Sequence, residues 1–353
     1  MPTITHLNPN SAILLWNKFI SSLPSHIPSS FNPSLFYFYT QYFHWKPYYF
    51  LLYVEDKPVA ALPLVYTGHR WVSLPHFSYG GFAVTHNVSF DFDEKLIQKL
   101  IFLIRKEGLN PGFFQLDLLR ISNLQVVRER FFIRTTYVFH PDDACKKVSS
   151  LISLPQTKEE LYKQLNANLR RKINKAANSG FELQIGGKEL IPLFYDIYAQ
   201  KMHQLGSPAY GKDFFEMLME TYRFGETKVF LVMESGKTIG ASFSLSYMGF
   251  YESSWFATNE IAYKKYVSDY LHWQMMQYAI SQGATTYSFG RSTPQGSVHI
   301  YKNHWPVTDI PIYQYEQGRR LHAKNHSWIP IVWKHIPYFI TRPVDPLLVK
   351  HIY

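Results

Sequence analysis

Two stretches of this chain repeat one order of elements, and that repetition is what most limits its fold. YYFLLYVEDKPVAALPLVY (Tyr48 to Tyr66) reads as two strands joined by a Glu-Asp-Lys turn. KVFLVMESGKTIGASFSLSY (Lys228 to Tyr247) reads the same way around Glu-Ser-Gly-Lys. A further strand follows in each half, at Arg70 to Leu74 and at Phe250 to Ala257. A helix comes next: Asp91 to Glu107, closed by Gly108, and Ser268 to Gln282, closed by Gly283. Glycine there supplies the left-handed backbone that ends a helix. Each helix feeds a strand, Phe113 to Leu119 and Thr285 to Arg291. Such a repeat predicts an α/β (α+β) protein of two tandem units, with mixed, mostly antiparallel sheets flanked by helices.

Between the halves, Val148 to Leu154 reads as a crossing strand that Pro155 ends. Thr157 then caps a helix, and Glu160 three residues on completes a capping box, in which side chains satisfy free amide groups reciprocally. Leu161, Leu165, Leu169 and Ile173 line its apolar face at spacing four, and Gly180 terminates it. The expected boundary lies near residue 155, giving units 1–154 and 155–317 and a tail 318–353. At 353 residues the chain is long enough for two domains, and 46% hydrophobic with 18% charged residues describes a globular protein.

The single cysteine, Cys145, excludes an intramolecular disulfide and any Cys-based zinc cluster, and reads as an inert thiol. The first residues have no basic region followed by a sustained apolar core, so no signal peptide is expected. No apolar run is long enough for a membrane span, and the expected location is the cytoplasm. Formal net charge is +10. Residues 318–353 hold six Lys or Arg (Arg319, Arg320, Lys324, Lys334, Arg342, Lys350) against Asp345, so six minus one places +5 in a tenth of the chain. With Trp328, Trp333, Tyr338 and Phe339 interleaved, this tail suits an anionic membrane surface at the inner face. RNA phosphates suit it too, and so does packing on the body with the charges in water.

The richest run for chemistry is YSFGRSTPQGSVHIYKNHW (Tyr287 to Trp305). It reads as a strand that breaks at Gly290 and sets Arg291, Ser292 and Thr293 just past the strand end, where ligands of open α/β sheets bind. One cation, several hydroxyls and two glycines suit an anionic, oxygen-rich ligand; the plain alternative is a β-hairpin with a solvated Arg. Ser297, Tyr301 and Lys302 would line the same cleft. Glu252, mid-strand in YESSWFA with Trp255 beside it, is the carboxylate to suspect of proton transfer, since burial raises a carboxyl pKa; pointing to solvent is the alternative.

FGRSTP, its glycine turn and the Tyr-Lys-x-x-Trp segment resemble the C-terminal signature of Fem-type proteins, tandem GNAT-fold enzymes related to the peptidoglycan aminoacyl transferases. The similarity continues through SLPHFSYGGFAV (Ser73 to Val84), NLRRKINKAANSGFEL (Asn168 to Leu183), YAQKMHQLGSPAYGKDFFEML (Tyr198 to Leu218) and the tail. It covers most of the chain, in order, and is nearest to the subgroup associated with exopolysaccharide and protein-sorting (PEP-CTERM) loci. The resemblance implies a FemAB-like acyltransferase that moves an aminoacyl or acyl group onto an amine of a cell-envelope glycan or lipid-linked precursor, such as peptidoglycan. It implies no covalent intermediate and no permanently bound cofactor; the donor is a co-substrate, aminoacyl-tRNA ahead of acyl-CoA. It places Arg170 and Lys175 on the connecting helix, and Ser207 and Tyr210 of LGSPAYGK, near the cleft between domains. A plain helix–helix connection would equally explain that loop, and helix-dipole stabilisation part of the cations.

The donor question has a sequence counterpart. An acyl-CoA site uses backbone amides at a glycine-rich helix start to hold the pyrophosphate, and Ala257 to Trp273 contains no glycine. The segment instead carries Tyr263, Lys264, Lys265, Tyr266 and Tyr270, where interleaved charge and aromatics suit a nucleotide or glycan; Tyr266 and Tyr270, four apart, would share a helix face that packing also explains. In the first half, Tyr79-Gly80-Gly81 allows close backbone approach to a ligand or simply a tight turn. No nucleophile motif is evident, and His299, His304, His322 and His326 have no accompanying carboxylate cluster, so no metal is expected. Two other readings stand beside the aminoacyl transferase: an acyl-CoA-dependent N-acyltransferase of polysaccharide biosynthesis, and a non-catalytic module that docks on glycan or membrane.

Overall fold

The computed structural model describes residues 3–7, 9–23, 27–68, 71–81, 83–84, 102, 106, 114–119, 147–317 and 328–350. Thirteen strands join one continuous sheet among these residues. In the first half β1 (Thr3–Leu7), β2 (Lys46–Val54), β3 (Lys57–Tyr66) and β4 (Trp71–Val72) pair antiparallel in that order. The short β5 (Ala83–Val84) pairs with β3 off this path. β6 (Phe114–Leu119) then joins β4 in parallel. In the second half β8 (Glu182–Gly186), β9 (Glu226–Glu234), β10 (Lys237–Tyr247) and β11 (Phe250–Thr258) pair antiparallel, and β12 (Thr286–Ser292) joins β11 in parallel. The repeat seen in the sequence is therefore a repeat of pairing.

The two remaining strands are exchanged. β7 (Lys147–Ser153), which follows β6 in the chain, pairs with β12 of the other half. β13 (Thr308–Gln317), which follows β12, pairs with β6. β7 and β13 also pair with each other, so the path β1-β2-β3-β4-β6-β13-β7-β12-β11-β10-β9-β8 repeats one order from either end. Both hairpins close through two-residue turns with positive φ at each central residue, Glu55 and Asp56 in one, Ser235 and Gly236 in the other. That backbone matches strand twist, so the short charged turns fix the register.

One face of the sheet carries a core shared by both halves. Trp16, Phe38 and Tyr39 come from α1 (Pro9–Ser22), α2 (Leu35–Phe38) and the π turn Tyr39–Phe43. They pack with Phe194 of α5 (Ile191–Gln204) and Phe214 and Phe215 of α6 (Lys212–Thr221). Phe38 meets Phe214 edge to face at 5.1 Å. The opposite face of the second half is covered by α3 (Lys158–Gln164), α4 (Ala167–Ala177) and α8 (Val267–Ser281), through Leu161, Leu169, Ile173, Leu271 and Met275.

Four local expectations need correction. The helix expected from Thr157 to Gly180 is two helices: Leu165 is extended (φ −72°, ψ 140°), and Asn166 starts α4 by accepting a hydrogen bond from the Leu169 amide at 2.9 Å. An Asn side chain competes with the helical ladder for backbone groups, and that divides the segment. The apolar stripe survives the break because all four residues still face the same core. Gly290 does not end β12: it takes φ +70° in a register shift between Ser288 and Arg291, and the strand runs on to Ser292. The segment that follows is a helix, α9 (Ser297–Lys302), rather than the return strand of a hairpin. Tyr266 stands ahead of α8 in left-handed backbone (φ 58°), so it shares no helix face with Tyr270. The helix expected over Asp91 to Glu107 lies outside the described residues apart from Phe102 and Lys106, as do Cys145, His322 and His326.

The described part of the tail packs mainly on the second half, and Lys350 Nζ lies over the Tyr42 ring of the first half at 4.5 Å. Among the described residues, β12 and β13 are the strands between α7 (Glu260–Lys264) and this tail. α10 (Trp328–Trp333) lies so close to the turn after α5 that a Cβ on Gly206 would stand 2.1 Å from the Pro330 carbonyl oxygen. α11 (Tyr338–Val349) holds α5 through Arg342 to Asp196 at 2.7 Å and Thr341 to His203 at 3.1 Å. Its Asp345 is fully buried and accepts from Trp333 Nε1 at 3.1 Å.

Candidate active site

The parallel pairing of β11 with β12 extends only from Phe250–Thr286 to Glu252–Ser288. Where the pairing ends, the seam between the halves gathers polar side chains from six separate segments. Glu252 is 1% exposed, and its Oε2 accepts from Ser29 Oγ at 2.7 Å. Ser29 belongs to a 3-10 turn of the first half, and its carbonyl accepts from Tyr222 at 2.8 Å. Ser78 lies beside the Glu252 carboxyl group and favours its charged form. Its Oε1 has no close hydrogen-bond partner among the described residues. That oxygen faces Gly290, where an added Cβ would stand 3.9 Å from it and 3.8 Å from Ser78 Oγ.

Beside the carboxyl lies a chain of hydroxyls. Tyr79 OH is 2.5 Å from both Ser149 Oγ of β7 and Ser288 Oγ of β12. Its carbonyl accepts from Ser30 at 2.8 Å. Ser288 Oγ in turn accepts from the Gly290 amide at 3.0 Å, which holds the bulge. Gly80 is tightly enclosed, since a Cβ there would stand 2.6 Å from the Ser73 carbonyl oxygen. The close-approach glycine of the first half is thus used against the protein's own backbone.

Three cations border this seam. Arg291 is half-buried at the end of β12 and acts electrostatically on Glu252, Tyr79 and Lys147. Lys147 donates to Thr293 Oγ1 at 2.7 Å. Lys302, 4% exposed, donates to the carbonyls of Gly290 at 2.8 Å and Arg291 at 3.2 Å and to Ser292 Oγ at 3.3 Å. Its three donors are spent, so it braces the strand end and supplies charge rather than contact. Burial pushes the Glu252 carboxyl above its ordinary range against the pull of Ser78, Ser29, Arg291 and Lys302. Burial pushes Lys302 down to about 8 against the pull of Glu252 and Asp309. Burial thus drives both groups away from their ordinary pKa values in the direction of neutrality.

The Lys302 shift has a stability consequence. Between its folded pKa and the ordinary lysine value the unfolded chain binds more protons, so this residue's contribution to stability rises with pH through that window. The stability of the wild type relative to Lys302→Met is therefore expected to grow between pH 7 and 10, by up to about 3 kcal/mol. Denaturant unfolding at several pH values reads this difference; an unchanged difference would mean that Lys302 stays charged throughout.

The sequence candidates fall into five places. Tyr79, Glu252, Arg291, Ser292, Thr293 and Lys302 meet at the seam. Tyr210 and Trp255 adjoin it as an aromatic wall, 6.1 Å apart, joined to the first half by His76 Nδ1 to Tyr210 OH at 3.1 Å. The loop that supplies His76 and Phe77 to this wall supplies Ser78 and Tyr79 to the seam. Arg170, Lys175, Tyr266 and Tyr301 lie on the opposite face. Arg170 sits over Tyr162 at 5.8 Å, and Lys175 over Tyr266 at 5.6 Å, in company with Arg171 and Lys172. Tyr301 turns towards Asp269 and Trp305 of that face, away from its neighbour Lys302. Ser207 belongs to the turn under the tail, and Ser297 is exposed at the start of α9. Sequence reasoning missed Ser29, Ser78, Lys147, Ser149 and Ser288, small or common residues that carry no motif.

Residues 163–303 match the family model described as an acetyltransferase (GNAT) domain, and all of Glu252, Ser288 and Arg291 to Lys302 fall inside it. No curated protein matches the sequence significantly. Solved structures resemble the whole chain. The crystal structure of FemX aligns with 93% of this chain and 100% of its own at 12% identity and a TM-score of 0.63. A conserved protein from Bacteroides thetaiotaomicron aligns with 90% of this chain and 100% of its own, at 12% identity and 0.54. A tandem GNAT protein from the clavulanic acid biosynthesis pathway aligns with 90% of this chain and 99% of its own, at 9% identity and 0.53. At such identities the likeness is one of fold, and it extends the tandem arrangement to nearly the full chain. The chain thus has a tandem GNAT-like fold that resembles that of FemX, and its residues 163–303 match the acetyltransferase (GNAT) domain model.

Proposed function

We propose that this chain transfers an aminoacyl or acyl group onto an amine of a cell-envelope glycan or lipid-linked precursor, using the seam between its halves. The observation that carries this reading is the Glu252 carboxyl: buried, raised in pKa, held through one oxygen by Ser29, and without a hydrogen-bond partner among the described residues at the other, beside Gly290. An amine that attacks an acyl carbonyl must lose a proton, and a carboxylate of raised pKa is suited to take it. The nitrogen forms the new bond to the carbonyl carbon, and the bond to the donor's oxygen or sulfur breaks. Glu252 receives the amine proton and returns one to the departing group. Arg291 and Lys147 sit where they would pair with an anionic part of either substrate, which fixes its position and screens developing charge.

Aminoacyl-tRNA is the donor favoured by the Fem resemblance. The cations Arg170, Arg171, Lys172 and Lys175 over Tyr162 and Tyr266 suit a phosphate backbone on the far face. Acyl-CoA is the second reading, favoured by the acetyltransferase match. Thermal stabilisation separates them, because a ligand that binds only the folded state raises the melting temperature. The expected result is a saturable shift with aminoacyl-tRNA that is absent with uncharged tRNA. A shift with CoA and acetyl-CoA alone would make the donor acyl-CoA, and no shift with either would favour a docking module. Arg291→Ala is expected to abolish transfer with the melting temperature nearly unchanged; loss of folding would make Arg291 structural.

A further inference from the structure

The tail helix α11 is turned inside out relative to an ordinary amphipathic helix. Its inward stripe is Thr341, Asp345 and Val349, with both polar members sealed from water. Its outward stripe is apolar: Phe339 is 77% exposed and Leu347 63%, with Ile340, Val344 and Leu348 also open. α10 extends the same character, with Ile331 57% exposed and Val332 beside it. A helix that faces its own protein with an aspartate and the outside with phenylalanine and leucine is patterned for an apolar medium beyond the protein.

The charge around this face names the medium. The tail holds half of the chain's net +10, and Lys334 stands exposed beside the apolar stripe. Lys and Arg beside exposed Phe and Leu are the combination that seats a helix in the headgroup layer of an anionic bilayer. α11 has 12 residues, and no helix among the described residues is long and apolar enough to cross a membrane, so the helix would lie along the surface. Pro343 and Pro346 remove two backbone donors from it, which leaves carbonyls one turn earlier without their helical partners. Such carbonyls are accommodated in the hydrated headgroup layer, whereas the bilayer core would not satisfy them.

We infer that α10 and α11 form a surface-docking element that seats the protein on an anionic membrane through Ile331, Val332, Phe339, Ile340 and Leu347. The element is clamped to the body by Arg342–Asp196, Thr341–His203 and the Gly206–Pro330 contact, so docking fixes the orientation of the whole chain. This inference is independent of acyl transfer. A catalytically inert protein would dock equally well.

Flotation of the full chain with vesicles tests it, comparing phosphatidylcholine alone with phosphatidylcholine mixed with phosphatidylglycerol. The expected result is binding to the mixed vesicles that weakens with salt. The double variant Phe339→Asp with Leu347→Asp should bind at least about tenfold more weakly, at an unchanged melting temperature because both side chains are exposed. Wild type that fails to float, or a variant that floats equally, overturns the inference. A wild-type dimer that the double variant converts to monomer, without vesicle binding, also overturns it and gives this face to a second copy of the chain. Lys334→Gln, which leaves the apolar stripe intact, should weaken binding to the mixed vesicles without altering the melting temperature.

Discussion

Glu252→Gln is expected to lower transfer by a factor of about 100 to 10,000, the usual contribution of a positioned general base. The amide keeps the shape of the side chain and an oxygen for the Ser29 hydroxyl, so the seam should stay assembled. The substitution also removes the penalty of burying a titratable carboxyl, and the melting temperature should move by only a few degrees in either direction. The pH profile carries the more specific signature. A base must be unprotonated to act, so wild-type transfer should fall as pH drops through a carboxyl pKa that burial has raised above the ordinary range. In the glutamine variant that acid limb should vanish while the residual rate persists. Single-turnover transfer across pH, with the donor identified by thermal stabilisation, measures both. A variant that retains full activity would remove Glu252 from the chemistry.

The second large effect is on acid stability. His76 and His272 are buried and held neutral, each lowered by burial to about 3. Below the ordinary histidine pKa the unfolded chain takes up protons that these two rings refuse, so stability falls as pH drops from 6.5 towards 3. At pH 5 each ring costs about 2 kcal/mol relative to neutral pH, and the pair about 4. Glu252, Asp269 and Asp345 work in the opposite direction, because burial raises them and the folded state takes up their protons first. His272→Phe isolates the histidine contribution. The ring lies flat on Phe256 at 4.3 Å, a geometry a phenyl ring can keep, and the Tyr287 hydroxyl loses one partner at 2.7 Å. The acid-unfolding midpoint of this variant should move to lower pH. A midpoint that stays in place would mean that the imidazole is protonated in the folded protein.

The hairpins were legible in the sequence because their cause is local. Glu55-Asp56 and Ser235-Gly236 close two-residue turns, and the flanking alternation does the rest. α8 was legible for the same reason, with Gly283 in left-handed backbone just past its end. The break at Asn166 was not, because leucines at spacing four continue across it and only the capping geometry reveals two helices. At the seam, Glu252 and Arg291 stood out as charges in apolar strands. Ser29 and Lys147 reach the same place from the first half, at sequence separations that no pattern in the second half reports. Tyr301 and Lys302 were assigned together because they are adjacent, whereas on a helix neighbours point in different directions and these two serve opposite faces of the sheet.

The exchange of β7 and β13 has a consequence for the order of events on the ribosome. The pairs β1 to β6 can form early, but β6 has its second neighbour only in β13, which begins at residue 308. Until then the emerging chain carries an open strand edge on β6 and another on β7, the kind of edge that pairs with other chains. β12 can close one of them when the second unit is made, and β13 closes the rest at once by bonding β6 and β7 together. The two halves therefore complete their sheets in a single late step, when residues 308–317 emerge, and neither half released alone would carry a finished edge.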